Sequence, residues 1–186
     1  AYHATTTYYD RKNQEALKVQ PGAAGVITEN DAEGRVLVRR TVLDPFATTP
    51  FEITRTEYGY DDQGRQIEVV NYERTHDGTG DALSIDSGSA NAIATWQWSW
   101  YDYTGRLKAT ASFGAGDAGT GADEFVSVGD PGDRLLYESP SVSVNGTVSR
   151  GTLPEYAVVT CYRYDTAGRQ SAVATQLTTG SSPTYR

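Results

Sequence analysis

The stretch Tyr58-Gly59-Tyr60-Asp61-Asp62-Gln63-Gly64-Arg65 decides the fold, because it places the residues of a tight turn between two strand-like flanks. Asp61 and Gly64 are three residues apart, and a type I turn prefers Asp at its first position and Gly at its fourth. The Asp carboxylate can accept backbone N–H groups inside the turn. Glycine then adopts a positive φ, and the chain enters the next strand through a bulge. The stretch therefore predicts the tip of a β-hairpin.

The same pattern recurs along the chain, and a recurring pattern predicts a repeat architecture. The copies lie near residues 8–14, 28–35, 58–65, 99–106 and 162–169, with a degenerate copy near 130–135. In the first copy Asn replaces Gly, and Asn is also tolerant of the left-handed conformation. The predicted turn residues are Asp10, Asn13, Asp31, Gly34, Arg35, Tyr60, Asp61, Gly64, Arg65, Tyr101, Asp102, Gly105, Arg106, Tyr164, Asp165, Gly168 and Arg169.

Arginine follows the glycine in four of the five better copies. A guanidinium at this position can pair with the turn Asp or stack on a neighbouring Tyr. The flanks of the turns are rich in β-branched and aromatic residues, several with a two-residue period, which predicts strands. The flanking runs are 51–58, 94–100 and 156–162 before the turns, and 36–38, 67–70 and 172–174 after them. Asn145-Gly146 within 142–148 predicts one further hairpin.

The repeated pattern Tyr-x-Tyr-Asp-x-x-Gly-Arg resembles the YD repeat, also called the RHS repeat. This repeat occurs in bacterial Rhs proteins, Tc toxin B/C components, wall-associated proteins and teneurins, and residues 58–65 and 162–169 carry the resemblance best. The resemblance implies an all-β, antiparallel strip of stacked hairpins, twisted or curved, which in the family coils into a hollow shell. We expect residues 1–186 to form a single YD-repeat domain, or a segment of a longer array, with long polar loops over 74–92, 114–124 and 178–184.

Composition and motifs argue against several classes of function. The net charge of −8 repels phosphate backbones, so nucleic acid is not an expected partner. No apolar run reaches the roughly 18–20 residues of a membrane span. The lone Cys161 lies in an apolar run and is expected to be a small buried hydrophobe. A nucleophilic role would need a His partner, and His3 and His76 lie far away in sequence. Because hydrolase, phosphate-loop and metalloprotease motifs are missing too, we expect no enzyme.

Two further features have both a structural and a functional interpretation. Trp96, Trp98 and Trp100 alternate and would share one strand face, where they could pack, form an interface or stack on a sugar ring. The acidic, Gly-rich segments 77–81 and 114–124 are expected to be solvated loops, with calcium as the alternative ligand. No other cofactor is expected. Asn145-Gly146-Thr147 fits the N-glycosylation pattern.

These observations lead to one hypothesis and two alternatives. The leading hypothesis is a non-catalytic structural segment of a large secreted or cell-surface protein, forming a shell wall, stalk or self-associating fibre. Its partners would be further copies of itself or adjoining YD repeats, because a sheet of this kind has edges that can pair. The first alternative is a carbohydrate or cell-surface binding module that uses the tryptophan strip. The second is a wall segment of a toxin-encapsulating cage of the Rhs or Tc type.

Overall fold

A computed structural model describes residues 4–19, 24–85, 90–114, 158–177 and 184–185. Several predicted features lie outside these residues. They are the degenerate repeat near 130–135, the hairpin over 142–148 with its Asn145-Gly146-Thr147 motif, the loop residues 115–124 and most of the loop over 178–184.

Eleven strands make up the regular structure, and no helix occurs in the described parts of the chain. They are β1 (Thr6–Tyr9), β2 (Glu15–Val19), β3 (Gly25–Asn30), β4 (Val36–Leu43), β5 (Phe51–Tyr60), β6 (Gln66–Arg74), β7 (Ala92–Tyr101), β8 (Leu107–Gly114), β9 (Val158–Tyr164), β10 (Gln170–Leu177) and β11 (Thr184–Tyr185). The strand order in the sheet follows the order in the chain. This arrangement confirms the predicted all-β class with antiparallel hairpins.

Strand register shifts next to the repeat turns. The β1–β2 register shifts between Tyr8 and Tyr9, the β3–β4 register between Glu29 and Asn30, and the β7–β8 register between Trp100 and Tyr101. The bulges beside these turns have a local cause. The residue at the fourth turn position has a positive φ, so the chain re-enters the sheet with one extra residue on one strand.

The chain divides into two compact bodies. Among the described residues, the first body comprises those within 4–59 and 69–94, and the second comprises 60–68, 95–114 and those within 158–185. The boundaries fall inside β5, β6 and β7.

The core of the second body lies on one face of the neighbouring strands β7, β8 and β9. Buried side chains on β7 alternate with more exposed ones, as a strand with one covered face requires. The core consists of Trp98, Trp100, Ala109, Ala111, Val159 and Cys161, with Phe113 packed against it. The small side chains of Ala109 and Ala111 on β8 lie opposite the indole rings of Trp100 and Trp98 and leave room for them. Cys161 is buried in this core, as the sequence predicts.

The first body buries polar side chains beside its apolar ones. Val42 is fully buried on β4, and Leu83 is 3% exposed. Glu52 and Asn91 are also buried, at 7% and 4% exposure. Buried polar groups need hydrogen-bond partners, and both residues have them, as described below.

We predict that Val159→Ala lowers the free energy of unfolding by about 2 kcal/mol, because it removes buried methyl groups and leaves a cavity. Val173→Ala on β10 is the matched control, since Val173 is 51% exposed, and it should change the free energy by less than about 0.5 kcal/mol. Denaturant titration of both variants measures the difference. Equal losses in the two variants would contradict the assignment of Val159 to the core.

Candidate functional site

All five repeat turns have the same backbone hydrogen bonds. In the third turn, the Gly64 N–H donates to the Asp61 carbonyl and the Asp61 N–H donates to the Arg65 carbonyl. The Asp61 carboxylate also accepts the backbone N–H groups of Gln63 and Arg65. Positive φ values occur at the fourth position of each turn: Asn13 (61°), Gly34 (89°), Gly64 (76°), Gly105 (85°) and Gly168 (79°).

Each arginine that follows the turn glycine forms an ion pair with the Asp of its own turn. The distances from Arg Nε to Asp Oδ2 are 2.6 Å for Arg35–Asp31, 2.7 Å for Arg65–Asp61, 2.7 Å for Arg106–Asp102 and 2.8 Å for Arg169–Asp165. The carboxylate therefore receives backbone and side-chain donors together, and the guanidinium is held in a fixed orientation. In the first turn Gln14 occupies the arginine position.

The donors around the turn carboxylates lower their pKa values. For Asp61, partial desolvation raises the pKa, but the Arg65 N–H, the Arg65 guanidinium and the Gln63 N–H outweigh it and the net shift is downward. For Asp102, desolvation is likewise outweighed, here by the Thr104 hydroxyl and by Arg106. The pKa values of Asp31 and Asp165 are also lowered. These carboxylates are therefore ionised at neutral pH.

Two of these arginines, Arg65 and Arg106, also contact the next repeat turn in the sequence. The Arg65 guanidinium carbon lies 5.0 Å from the centre of the Tyr101 ring, and Arg65 Nη1 donates to the Asp102 carbonyl at 3.2 Å. In the opposite direction, the Tyr101 hydroxyl donates to the Gln66 carbonyl at 3.0 Å. The arginine of one turn thus contacts the next turn, and the tyrosine of that next turn donates a hydrogen bond back to the strand after the first. We call this pair of contacts the Arg–Tyr link.

The link recurs between the fourth and fifth turns. Arg106 lies 4.7 Å from the centre of the Tyr164 ring, and the Tyr164 hydroxyl donates to the Leu107 carbonyl at 2.7 Å. Burial, together with the charge of Asp102, raises the pKa of Tyr164, so its hydroxyl keeps the proton that it donates. Gly168 lies under this guanidinium, and a Cβ there would be 3.5 Å from Arg106 Nη1.

The first and second turns are joined by different side chains. Lys12 Nζ donates to the Ala32 carbonyl at 3.0 Å. The Gln14 amide reaches over Gly34, so that a Cβ at Gly34 would be 2.6 Å from Gln14 Nε2. The contact from one turn to the next is therefore kept where the arginine is replaced.

The tryptophan strip is mostly covered. Trp98 and Trp100 are each 7% exposed and contact each other edge to face, with ring centres 6.1 Å apart. The Trp98 Nε1–H donates to Glu68 at 2.7 Å. Trp96 is less buried and stacks on Phe113 at 5.6 Å. The two innermost rings thus contribute to packing, and of the three indoles Trp96 is the one with accessible ring surface.

The acidic segment 77–81 belongs to a loop that is held by two side chains. Arg74 donates to the carbonyl groups of Glu52, Gly80 and Asp81 at 2.6, 2.9 and 2.8 Å. The Asn91 amide donates to the carbonyl groups of Thr79 and Ala82 at 2.6 and 2.8 Å. These carbonyl oxygens already have donors, and no group of three metal-ligating side chains occurs among the described residues. Calcium binding by the loop stays a prediction.

Sequence reasoning missed the centre of the first body. The buried Glu52 carboxylate accepts the Leu83 N–H at 3.0 Å and lies 3.4 Å from Arg55 Nη1. Arg40 Nε lies 3.0 Å from the other carboxylate oxygen, as an ion pair without an aligned hydrogen bond, and Arg40 also pairs with Glu29. Glu52 thus joins β4, β5 and the 75–84 loop. A Glu in a run of strand residues gives no sign that it faces inward, so the sequence offered no signal for this cluster.

No family model matches the sequence, and no curated protein matches it. Among solved structures, the chain is similar to part of a chain in the crystal structure of TcdB2-TccC3-TEV, a Tc toxin component, with a TM-score of 0.25 and 13% identity. The match covers 92% of this chain and 10% of that one, so this chain spans about a tenth of its length. Among the described residues, no helix is long and apolar enough to cross a bilayer.

The lowered pKa values predict a loss of stability in acid. These carboxyls have a lower pKa in the folded chain than in the unfolded one. Their contribution to the free energy of unfolding is therefore fully present above the unfolded pKa of about 3.9. It is lost as the pH falls through their folded pKa values.

Asp102→Asn should lower the free energy of unfolding by about 1–3 kcal/mol at neutral pH and should weaken its dependence on acid pH. Denaturant titrations at several pH values measure both effects. Asp77→Asn, at a side chain 97% exposed, is the control; a matching acid profile in both variants would contradict the argument.

The Arg–Tyr link can be tested by removing a single atom. Tyr164→Phe keeps the ring under Arg106 and removes the hydroxyl that donates to the Leu107 carbonyl, so we expect a loss of about 0.5–1.5 kcal/mol in the free energy of unfolding. Tyr103→Phe is the matched control, because Tyr103 is 80% exposed and lies outside the link. Thermal or denaturant unfolding measures both. An unchanged stability for Tyr164→Phe would show that the hydrogen bond contributes nothing.

Proposed function

We propose that this chain is a non-catalytic structural segment of a larger secreted or cell-surface protein, in which rows of hairpins form a shell wall, a stalk or a fibre. The observation that carries the proposal is the Arg–Tyr link, which occurs twice with the same geometry, from Arg65 to Tyr101 and from Arg106 to Tyr164. A contact that repeats from turn to turn holds neighbouring hairpins in register without any ligand. Its contribution per turn is about 0.5–2 kcal/mol from the cation–π contact.

The chemistry of the turns supports a passive role. Asp61 and Asp102 have lowered pKa values and each is paired with an arginine. A general acid or base works best with a pKa near the operating pH, and these carboxylates are shifted away from it. Their hydrogen-bonding capacity is used within the turns, where it orients the arginine towards the next tyrosine.

A specific form of this role is a wall segment of a toxin-encapsulating cage, which the resemblance of the repeat implies. It requires a parent chain much longer than 186 residues, with a C-terminal domain behind the repeats. Sequencing the full reading frame tests this form: a long repeat array followed by a further domain supports it. A short frame without such a domain contradicts the cage and leaves the stalk or fibre.

The proposed role is tested by electron microscopy of the protein purified from its source with an antibody against this chain, combined with intact mass spectrometry. We expect closed shells, stalks or filaments, together with labelling of intact cells or of the culture medium by the same antibody. Monodisperse particles the size of one chain, retained inside the cells, would contradict the proposal.

A further inference from the structure

The backbone carbonyl groups of five consecutive residues, 78–82, accept hydrogen bonds from two side chains. Arg74 donates to three of these carbonyls, and the Asn91 amide donates to the other two. Gly80 lies in the middle of the run with a φ of 88°, a conformation that residues with a Cβ rarely adopt. Converging backbone carbonyls are among the ligands that calcium uses in loops. In this loop, however, the cation that they surround is an arginine.

All three nitrogen atoms of the Arg74 guanidinium have carbonyl acceptors. Nε donates to the Glu52 carbonyl at 2.6 Å, Nη1 to the Gly80 carbonyl at 2.9 Å and Nη2 to the Asp81 carbonyl at 2.8 Å. Nη1 also donates to the Gly78 carbonyl at 3.4 Å. The acceptors thus surround the edge of the planar cation, where its forked donors point.

The face of the same guanidinium is covered by an aromatic ring. Its central carbon lies 3.8 Å from the centre of the Phe51 ring, which is within the range of a cation–π contact. Arg74 and Phe51 are both partly buried, and partial desolvation strengthens such contacts. The chain therefore provides a ring for the face of the cation and carbonyl oxygens for its edge.

The Asp81 carbonyl illustrates why a metal ion has no place beside the arginine. It accepts the Glu52 N–H at 2.8 Å and Arg74 Nη2 at 2.8 Å, and a carbonyl oxygen has two lone pairs. Both lone pairs are therefore used. A calcium ion needs about six to eight oxygen ligands. It would have to displace the guanidinium from this loop, because two cations at one site repel each other.

We propose that the loop over residues 75–84 is a cation site whose resident cation is the Arg74 guanidinium. The side chain takes the place that a bound calcium ion has in other carbonyl-rich loops, so the loop keeps its shape without calcium. The ligand class of the site is a guanidinium compound, because the ring, the carbonyl acceptors and the positive charge are matched together. The proposal concerns this loop alone and does not depend on the wall role.

The position of both donors in the fold suits this role. Arg74 is the last residue of β6, and Asn91 directly precedes β7, which begins at Ala92. The donors are thus held at the sheet, whereas the carbonyl acceptors belong to the loop. Because the cation is part of the chain, its effective concentration at the site is high and the site is filled at any calcium concentration.

The inference is tested by hydrogen–deuterium exchange of the whole chain, followed by NMR at the amides of Glu52 and Leu83. The Glu52 N–H donates to the Asp81 carbonyl, and the Leu83 N–H donates to the Glu52 carboxylate, so both amides report whether the loop is in place. In the wild type, we expect the same exchange with excess calcium and with a chelator. Arg74→Ala should accelerate exchange at both amides by about tenfold or more, because charge-assisted hydrogen bonds are lost.

The ligand class is tested by chemical rescue of Arg74→Ala. Ethylguanidinium replaces the atoms that this substitution removes, so it should restore slow exchange at both amides when it is added far below denaturing concentrations. Ethylammonium at the same ionic strength and calcium should not restore it, because neither presents a planar fork of donors. For the same reason, Arg74→Lys should exchange faster than the wild type although it keeps the charge.

Arg39→Ala is the matched control, because Arg39 is an exposed arginine on β4 and its removal should leave exchange at both amides unchanged. Circular dichroism establishes that each variant is folded. Should Arg74→Ala fail to fold, Arg74→Lys and the wild-type calcium series still decide the question.

Four results would overturn the assignment of Arg74 as the resident cation. They are slow exchange retained in both Arg74 variants, no rescue by ethylguanidinium, equal rescue by calcium or ethylammonium, and a wild-type loop whose exchange slows when calcium is added.

Discussion

The contacts of the turn arginine are the interactions that join the third, fourth and fifth repeat turns. The guanidinium pairs with the Asp of its own turn and contacts the tyrosine of the next, so one side chain both completes a turn and joins it to its neighbour. Lysine could not replace it equally, because the ion pair and the ring contact both use a planar, forked cation. The turn Asp has a supporting role, because its carboxylate accepts a hydrogen bond from the arginine and holds it in orientation.

The backbone conformation at the fourth position of each repeat turn is compatible with the arginine contact from the preceding turn. A positive φ at Gly105 and Gly168 turns the chain tightly. The requirement for glycine at these positions is conformational, because a Cβ there would make only ordinary van der Waals contact with the arginine of the preceding turn, at 3.8 and 3.5 Å. The first turn has Gln14 in place of the arginine. The neutral Gln14 amide contacts the second turn at Gly34, and the charged Lys12 ammonium donates to the Ala32 carbonyl of the same turn.

The sequence predicts local features well and long-range ones poorly. The Asp-to-Gly spacing specifies the turns, and the β-branched and aromatic flanks specify the strands, because both signals lie within a few residues of each other. The sequence also suggests that the arginine could contact either an Asp or a Tyr, whereas the structure has both contacts at once. The Glu52 cluster and the loop held by Arg74 and Asn91 could not be predicted, since their partners are up to 31 residues apart.

In the loop over residues 75–84, the backbone is held by hydrogen bonds, whereas the side chains at the tip are exposed. Arg74 and Asn91 hold its carbonyl groups from outside the tip, whereas the side chains of His76 and Asp77 are 98% and 97% exposed and contact each other. The shape of the loop is thus held by Arg74 and Asn91, which lie outside its tip. The identity of the two tip residues can therefore change while Arg74 and Asn91 keep their hydrogen bonds to the loop backbone.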